Sequence, residues 1–526
     1  MPRCPLHVRH ATPGTPTVGP RAGNNAPGVR FDSFKPSTGL PAYLPMMTTL
    51  FLFRRLTVRG PAVLLAVLAS VAGPANAQLP GGPPSRLIPE TPATAAARAL
   101  VRDFNAGALT EARWQRWRHV IGPVEIKAVQ ARGPGSGVFW VQGSLSHAWL
   151  GFDVSLDSAS HLDRGSLPVL SLSWGPPPGL GAAPAAGQVS DHAAEIRSYL
   201  ARLERNDLFS GVVIVAQRGT PIVRAAYGEA NRLFHVPNTL ATRFPLASVS
   251  KIFTAVAVTR LVRGGRLAFS DVIATFIPDY PSANARTATV GQLLSHSAGL
   301  GRSTTDWIAR REDVSLADLV RLTASPEVDF PPGTSVRYSN EAFLVAGRII
   351  EIVAKMPSQT YVKRVVLDPA GMGATGWPAI DEVQRNWAVP YTNFRVDSGG
   401  GMVFVPGPRR NATYLQGIRG TPAGGAYATA GDLFAFATAL QHGRLVDSVG
   451  TRQLFSRHSA TPFGGYSYGF ELEGDPVRVV SKGGNAQGTS AQLDIFLDSG
   501  IVIVVLSNYD SGAQVAAVGI RSILGI

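Results

Sequence analysis

The chain has 526 residues, a formal net charge of +14 and 45% apolar residues, with glycine and proline abundant but not repeating. That length exceeds one ordinary core and points to two domains plus tails, with the composition of a globular protein. Basic residues are scattered without Lys/Arg runs or interleaved aromatics, so nucleic-acid binding has no support, and the single cysteine, Cys4, lies in a segment expected to be removed, which excludes disulfides, thiolate nucleophiles and cysteine-based metal sites.

Residues 1–77 hold half of the net charge, with Arg3, Arg9, Arg21, Arg30, Lys35, Arg54, Arg55 and Arg59 against Asp32 alone. Residues 1–45 are Pro/Gly-rich and lack apolar periodicity, and Met46 or Met47 offers an alternative start. Arg54, Arg55 and Arg59 then form a positive region ahead of an apolar run from Pro61 to Ala72, and Ala75-Asn76-Ala77 is an A-x-A cleavage site. The run is about a dozen residues, shorter than a bilayer span. We expect a signal peptide over about 47–77, a mature protein starting at Gln78 with no stable membrane span, and a periplasmic or secreted location.

Residues 85–175 read as a small α+β domain. The stretch 92–118 has helical spacing, and PVEIKAVQARG, GVFWVQGSL, HAWLGFDVSLD and LPVLSLSWG follow as strands separated by turns. A helical start before a curved antiparallel sheet resembles the NTF2-like modules found ahead of secreted hydrolases. No acid, base or metal cluster lies in it, so packing or positioning is its expected role. Residues 176–190, rich in Pro, Gly and Ala, read as a linker.

The second unit, 191–526, opens with a helix (HAAEIRSYLARL) and two strands turning at Arg218-Gly219-Thr220. It closes with a hairpin turning at Asp498-Ser499-Gly500 and a terminal helix. A sheet built from both chain ends with an inserted helical region, an α+β sandwich, is the simplest arrangement.

Within this unit, LASVSKIF places Ser248 and Lys251 three residues apart at the start of an apolar helix. Residues i and i+3 share a helix face, so the amine lies beside the hydroxyl. An apolar surround and the helix N-terminus both disfavour the ammonium, and a neutral amine can activate a serine. Downstream, Tyr338-Ser339-Asn340 sits at a loop-to-helix junction after a Pro/Gly turn. A tyrosine near a lysine ammonium ionises more easily and can relay a proton. Near the C-terminus, Lys482-Gly483-Gly484 falls on an expected edge strand, where glycines admit a substrate backbone and a main-chain N–H can face an oxyanion.

Ser-x-x-Lys, Tyr-x-Asn and Lys-x-Gly, in this order, resemble the serine β-lactamase and penicillin-binding-protein superfamily. Tyr338-Ser339-Asn340 points to its class C β-lactamase-like branch, which includes esterases and D-stereospecific peptidases. LLSHSAGL (293–300), LDPAGMGATGW and GGAYATAGDL agree, and the resemblance covers roughly 195–525. It implies a β-lactamase-like antiparallel sheet flanked by helices, with Ser248 as the acylated nucleophile and Lys251 as its base. Tyr338 would assist proton transfer and activate the deacylating water, and Asn340 would bind the substrate carbonyl. Lys482 would hold the electrostatics, and the N–H groups of Ser248 and Asn485 would form the oxyanion hole, beside Gly483 and Gly484.

Two positions depart from the family pattern. Lys482 keeps the charge of true β-lactamases where many esterases carry His. Gly483 replaces the Thr or Ser that holds a substrate carboxylate, a loss of about 1–3 kcal/mol. Ala298 stands where serine is usual, in a segment expected to be structural, as is His296 within it. No zinc-ligand spacing or phosphate-binding glycine pattern occurs, so no metal or cofactor is expected. The expectation is an exported serine hydrolase using a covalent acyl-enzyme on esters, D-amino-acid amides or peptides, or peptidoglycan fragments. β-Lactam hydrolysis and a non-turnover sensor of penicillins or cell-wall fragments are the alternatives.

Overall fold

The computed structural model describes residues 85–157, 162, 169–173, 189–301, 314–398, 401–461 and 464–526. The expected leader and signal peptide, 1–77, and residues 176–188 of the expected linker lie outside the described residues.

The first element, α1 (Pro92–Ala106), starts where the Thr91 side chain accepts the N–H of Thr94 and Pro92 occupies the first turn. Ala93, Ala97, Leu100 and Phe104 recur at helical spacing and are buried. The sequence pattern suggests one helical run to residue 118, but the chain breaks it. Gly107 takes φ 76°, its N–H caps the helix, and a second helix, α2 (Ala112–Ile121), follows. Side-chain periodicity runs through such a break because it carries no record of a left-handed backbone at one glycine. Strands β1 (Val124–Gly133), β2 (Ser136–Gly143), β3 (Trp149–Ser155) and β4 (Val169–Ser173) form an antiparallel meander in chain order. One face packs Phe139, Leu150 and Phe152 under the helices, where Phe104, Trp114 and Phe152 meet at ring-centroid distances of 5.9–6.3 Å.

The helix α3 (Val189–Arg205) begins two residues inside the expected linker. It leads into β5 (Gly211–Gln217) and β6 (Thr220–Tyr227). Helices α4 (Lys251–Arg263), α5 (Glu341–Ala354) and α6 (Ala430–Gln441) come from the inserted region. The chain then returns to the sheet through β7 (Ser459–Thr461), β8 (Gly464–Tyr466), β9 (Glu471–Glu473), β10 (Val479–Ala486), β11 (Thr489–Phe496) and β12 (Ile501–Ser507), and ends in α7 (Gly512–Leu524). The eight strands lie in the order β7-β8-β9-β10-β11-β12-β5-β6, all antiparallel. Pairing of β12 with β5, with Ile503 opposite Val215, joins the two chain ends.

Two-residue periodicity divides the sheet between two cores. Val213, Val215, Ile503 and Val505 pack against Ile196, Leu200 and Ile520 of α3 and α7. Val212, Ile214, Val504 and Leu506 join the opposite core with Val256, Phe343 and Phe436 of α4, α5 and α6. The result is an α+β sandwich. The small N-terminal sheet docks on its α3/α7 face: Val518 of α7 is buried among the N-terminal apolar residues, and the Tyr199 hydroxyl donates to Ser146 O at 3.3 Å and Val515 O at 2.8 Å. No described helix is long and apolar enough to cross a membrane.

Candidate active site

A short antiparallel pairing of Phe244-Pro245 with Tyr427-Ala428 brings the chain to a 3-10 turn, Ala247–Ser250, that precedes α4. Ala247 has φ 44°, a left-handed conformation costing a non-glycine residue roughly 1–2 kcal/mol. Residues 421–426 hold it there. Gly425 N–H and Ser250 Oγ both donate to Ala247 O, at 3.2 and 2.9 Å. Ala426 N–H donates to Ser250 Oγ at 3.0 Å, and Leu246 N–H donates to Ala426 O at 2.7 Å. The strained turn leaves Ser248 half-buried while Lys251, one turn on, is fully buried.

Lys251 Nζ lies 3.3 Å from Ser248 Oγ, 2.7 Å from Asn340 Oδ1 and 2.5 Å from Ala423 O. Burial pushes its pKa well below the ordinary lysine range, the Lys482 ammonium adds to the depression, and Glu471 opposes it. A neutral amine has two N–H donors and one lone pair. Asn340 Oδ1 and Ala423 O are acceptors only, so they take the two donors and direct the lone pair at the serine hydroxyl. On the other side, Tyr338 Oη donates to Ser248 Oγ at 2.6 Å.

Tyr338 does not rest in the ionised form that a neighbouring ammonium would promote. Burial raises its pKa, the bond to Ser248 lowers it, and Glu471 raises it further. It is therefore a phenol that donates to Ser248.

His296 has φ 58° and is 1% exposed. Its Nδ1 accepts the Ser339 N–H at 3.2 Å, which assigns the ring hydrogen to Nε2. Burial pushes its pKa well below the ordinary histidine range, so it stays neutral. Its ring lies 4.5 Å from that of Tyr338, and His296 O accepts the Arg337 N–H at 2.9 Å. The segment 293–300 is thus the bed on which Tyr338-Ser339-Asn340 rests, the structural role expected of it.

The third wall is β10. It is an edge strand only in part: β9 pairs with residues 479–481 and stops, so 482–486 are covered by β11 on one side alone. The expected edge is real at the glycines because β9 has only three residues. A Cβ placed on Gly484 would stand 2.3 Å from Leu246 O and 3.0 Å from the nitrogens of Ser248 and Val249. This brings the strand against the turn that carries Ser248, with Asn485 the next residue along it. Gly483 faces the other way, since a Cβ there would meet Gln492 Oε1 at 3.0 Å and Gln514 Nε2 at 3.7 Å. Lys482 is buried, with Nζ 2.7 Å from Glu471 Oε1 and 5.1 Å from the Tyr338 ring centroid.

Ser248, Lys251, Tyr338, Asn340 and Lys482 therefore converge, with Gly484 and Asn485 alongside and Gly483 turned to the far face. Asn340 spends its Oδ1 on Lys251, which leaves the donors of its Nδ2 outside that bond. Sequence reasoning missed two participants. Ala423 contributes only a backbone oxygen, which no side-chain pattern announces, although it directly precedes the noted GGAYATAGDL segment. Glu471 lies on a three-residue strand with no motif of its own. Among the described residues no cluster of His, Cys, Asp and Glu could hold a metal ion.

The beta-lactamase family model matches residues 196–525. Penicillin-binding protein 4* of Bacillus subtilis is 26% identical over 322 residues, covering 58% of this chain and 69% of that protein. Esterase EstB of Burkholderia gladioli is 31% identical over 205 residues, 36% of this chain and 52% of EstB. Among solved structures, a penicillin binding protein from Bacillus halodurans is 26% identical with a TM-score of 0.55, over 63% of this chain and 98% of that one.

Proposed function

The chain belongs to the beta-lactamase family, and from that premise we propose that it is an exported serine hydrolase that forms a covalent acyl-enzyme on esters, D-amino-acid amides or peptides, or related small acyl donors. Ser248 Oγ attacks the substrate carbonyl carbon as its proton passes to the lone pair of Lys251. The carbonyl π electrons move to oxygen, where the N–H groups of Ser248 and Asn485 stabilise them. Collapse breaks the bond to the leaving group, which takes a proton from Tyr338, and Lys251 reprotonates the phenol. Water then loses a proton to the same Tyr338–Lys251 pair, attacks the acyl-serine and releases the acid with Ser248 restored.

One observation carries this reading: a single hydroxyl lies 2.6 Å from a phenol and 3.3 Å from a fully buried amine whose other two acceptors are fixed. EstB, an esterase by name, supports ester cleavage. β-Lactam hydrolysis is the second reading, supported by the relatives named as penicillin-binding proteins; Gly483, turned to the far face, does not decide between the two. The basic leader with its A-x-A site supports export.

Intact-mass measurement after exposure to a fluorophosphonate tests the reading. The wild type gains one adduct and Ser248→Ala gains none; adduct formation on the variant would overturn it. A panel of p-nitrophenyl esters, D-amino-acid amides and penicillins then separates the alternatives. Turnover of the esters marks the hydrolase, and a stable penicillin adduct with no turnover of any substrate marks the sensor.

A further inference from the structure

Lys482, the cation that a substrate carboxylate would seek, already has a counterion. Its ammonium is 1% exposed and lies 2.7 Å from Glu471 Oε1. The Glu471 side chain is 39% exposed, so it reaches the solvent side of the pair while the lysine stays beneath it. Its position follows from the register. Glu471 sits opposite Ser481 at the last paired position of β9, beside the point where β10 becomes a free edge. Its charge reaches the reacting groups, since it opposes the pKa depression at Lys251 and adds to the rise at Tyr338. Glu341, a second carboxylate of this region, is instead hydrogen-bonded to Tyr280 and is 1% exposed.

We propose that Glu471 is a specificity-determining residue: paired with Lys482, it disfavours acyl donors that carry a carboxylate near the scissile carbonyl and favours neutral or ammonium-bearing ones. The proposal rests on the hydrolase reading and narrows its substrate class. An incoming carboxylate must displace Glu471 from Lys482 or lie beside it, and either brings two like charges together in a partly desolvated site. A substrate ammonium meets the opposite situation, because the exposed part of Glu471 is an acceptor for it.

The test uses three p-nitrophenyl esters with one leaving group: the neutral butyrate, the hemisuccinate with its free carboxylate, and the cationic 4-(trimethylammonio)butyrate. Each kcat/KM is divided by that ester's hydroxide-catalysed rate. In the wild type the expected order is cationic, neutral, anionic. Glu471→Gln raises the hemisuccinate-to-butyrate ratio by about tenfold and lowers the cationic-to-neutral ratio. Glu471→Asp, which keeps the charge, leaves both ratios within about threefold of the wild type. An unchanged ratio in Glu471→Gln, in protein that still reacts with a fluorophosphonate, overturns the proposal. If that variant does not fold, wild-type rates decide, because equal normalised rates for hemisuccinate and butyrate overturn it on their own. Absence of both ester turnover and a fluorophosphonate adduct overturns the hydrolase reading, and this proposal with it; turnover without charge discrimination overturns this proposal alone.

Discussion

Replacing Gly484 with alanine adds one methyl group at the place where the sheet touches the nucleophile turn. The new carbon would stand 2.3 Å from Leu246 O and 3.0 Å from the nitrogens of Ser248 and Val249. All three neighbours are backbone atoms, so no side chain can swing away. Restoring an ordinary carbon–oxygen contact requires β10 to move about 1 Å from Leu246. The residue that follows is Asn485, whose N–H the mechanism uses at the oxyanion. A 1 Å misplacement costs about 10²-fold, close to loss of a single oxyanion donor at about 10²–10³ in kcat. We therefore expect Gly484→Ala to lower kcat for p-nitrophenyl butyrate by about 10²-fold. Gly483→Ala is the control: its methyl meets the far end of the Gln492 side chain at 3.0 Å on the opposite face, and kcat should stay within about fivefold. Steady-state kinetics with thermal melts of both variants read the result. Gly484→Ala with wild-type kcat and an unchanged Tm would refute the placement of β10 against Ser248.

The depressed pKa of Lys251 predicts that kcat/KM rises with pH as the amine loses its proton, with an acid limb well below lysine's ordinary 10.5; a limb near 10.5 in the pH–rate profile would contradict the burial argument. The unfolded chain holds that proton between the depressed value and 10.5 while the folded one has lost it, so this group makes stability rise with pH across the window, and Lys251→Met should flatten the rise in denaturant titrations while lowering kcat about 10²–10⁴-fold. Burial pushes the Glu341 carboxyl up from 4.5 to about 7; the folded state keeps a proton that the unfolded chain loses in this window, so stability falls as pH rises through it. Glu341→Gln should thus stabilise by up to about 3 kcal/mol more at pH 8 than at pH 4, and equal Tm shifts at both pH values would count against a raised pKa. Deleting residues 85–185 uncovers Val518 and removes the Tyr199–Ser146 contact; burial of one valine is worth about 1.5–3 kcal/mol, so Tm should fall by roughly 2–4 °C, while fluorophosphonate labelling at low temperature persists because no side chain described around Ser248 comes from this region.

The large sheet was legible because its strands are short apolar runs bounded by turn residues, as in GVVIVAQ before Arg218-Gly219-Thr220 and IVIVVLS after Asp498-Ser499-Gly500. Those runs are apolar on both faces because both faces are covered by helices. The break between α1 and α2 was not legible. The residues on either side of Gly107 keep their helical spacing, and only the backbone angle at that glycine shows that the chain has turned. The free edge of β10 was half legible, since glycines announced a close approach but not that β9 would end after three residues.

Within the site, what could be read was what is local. Ser248 and Lys251 are three residues apart, so a helical start alone brings them together, whereas Ala423 O and Glu471 arrive from distant loops and strands. The protonation of Tyr338 shows why reading neighbours one at a time is insufficient. A lysine near a tyrosine was expected to ease ionisation of the phenol, and the same lysine, buried, was expected to be a neutral base. An amine without its proton adds no positive charge beside the phenol, and the Lys482 cation 5.1 Å from the ring does not outweigh the burial that raises the phenol's pKa. Complete burial of Lys251 disfavours its ammonium, and desolvation likewise holds Tyr338 in its protonated form. In the proposed mechanism the reactive amine becomes an ammonium when Lys251 takes the serine proton. At that moment the phenol, already 2.6 Å from the attacking oxygen, becomes easier to ionise, just as the leaving group needs its proton.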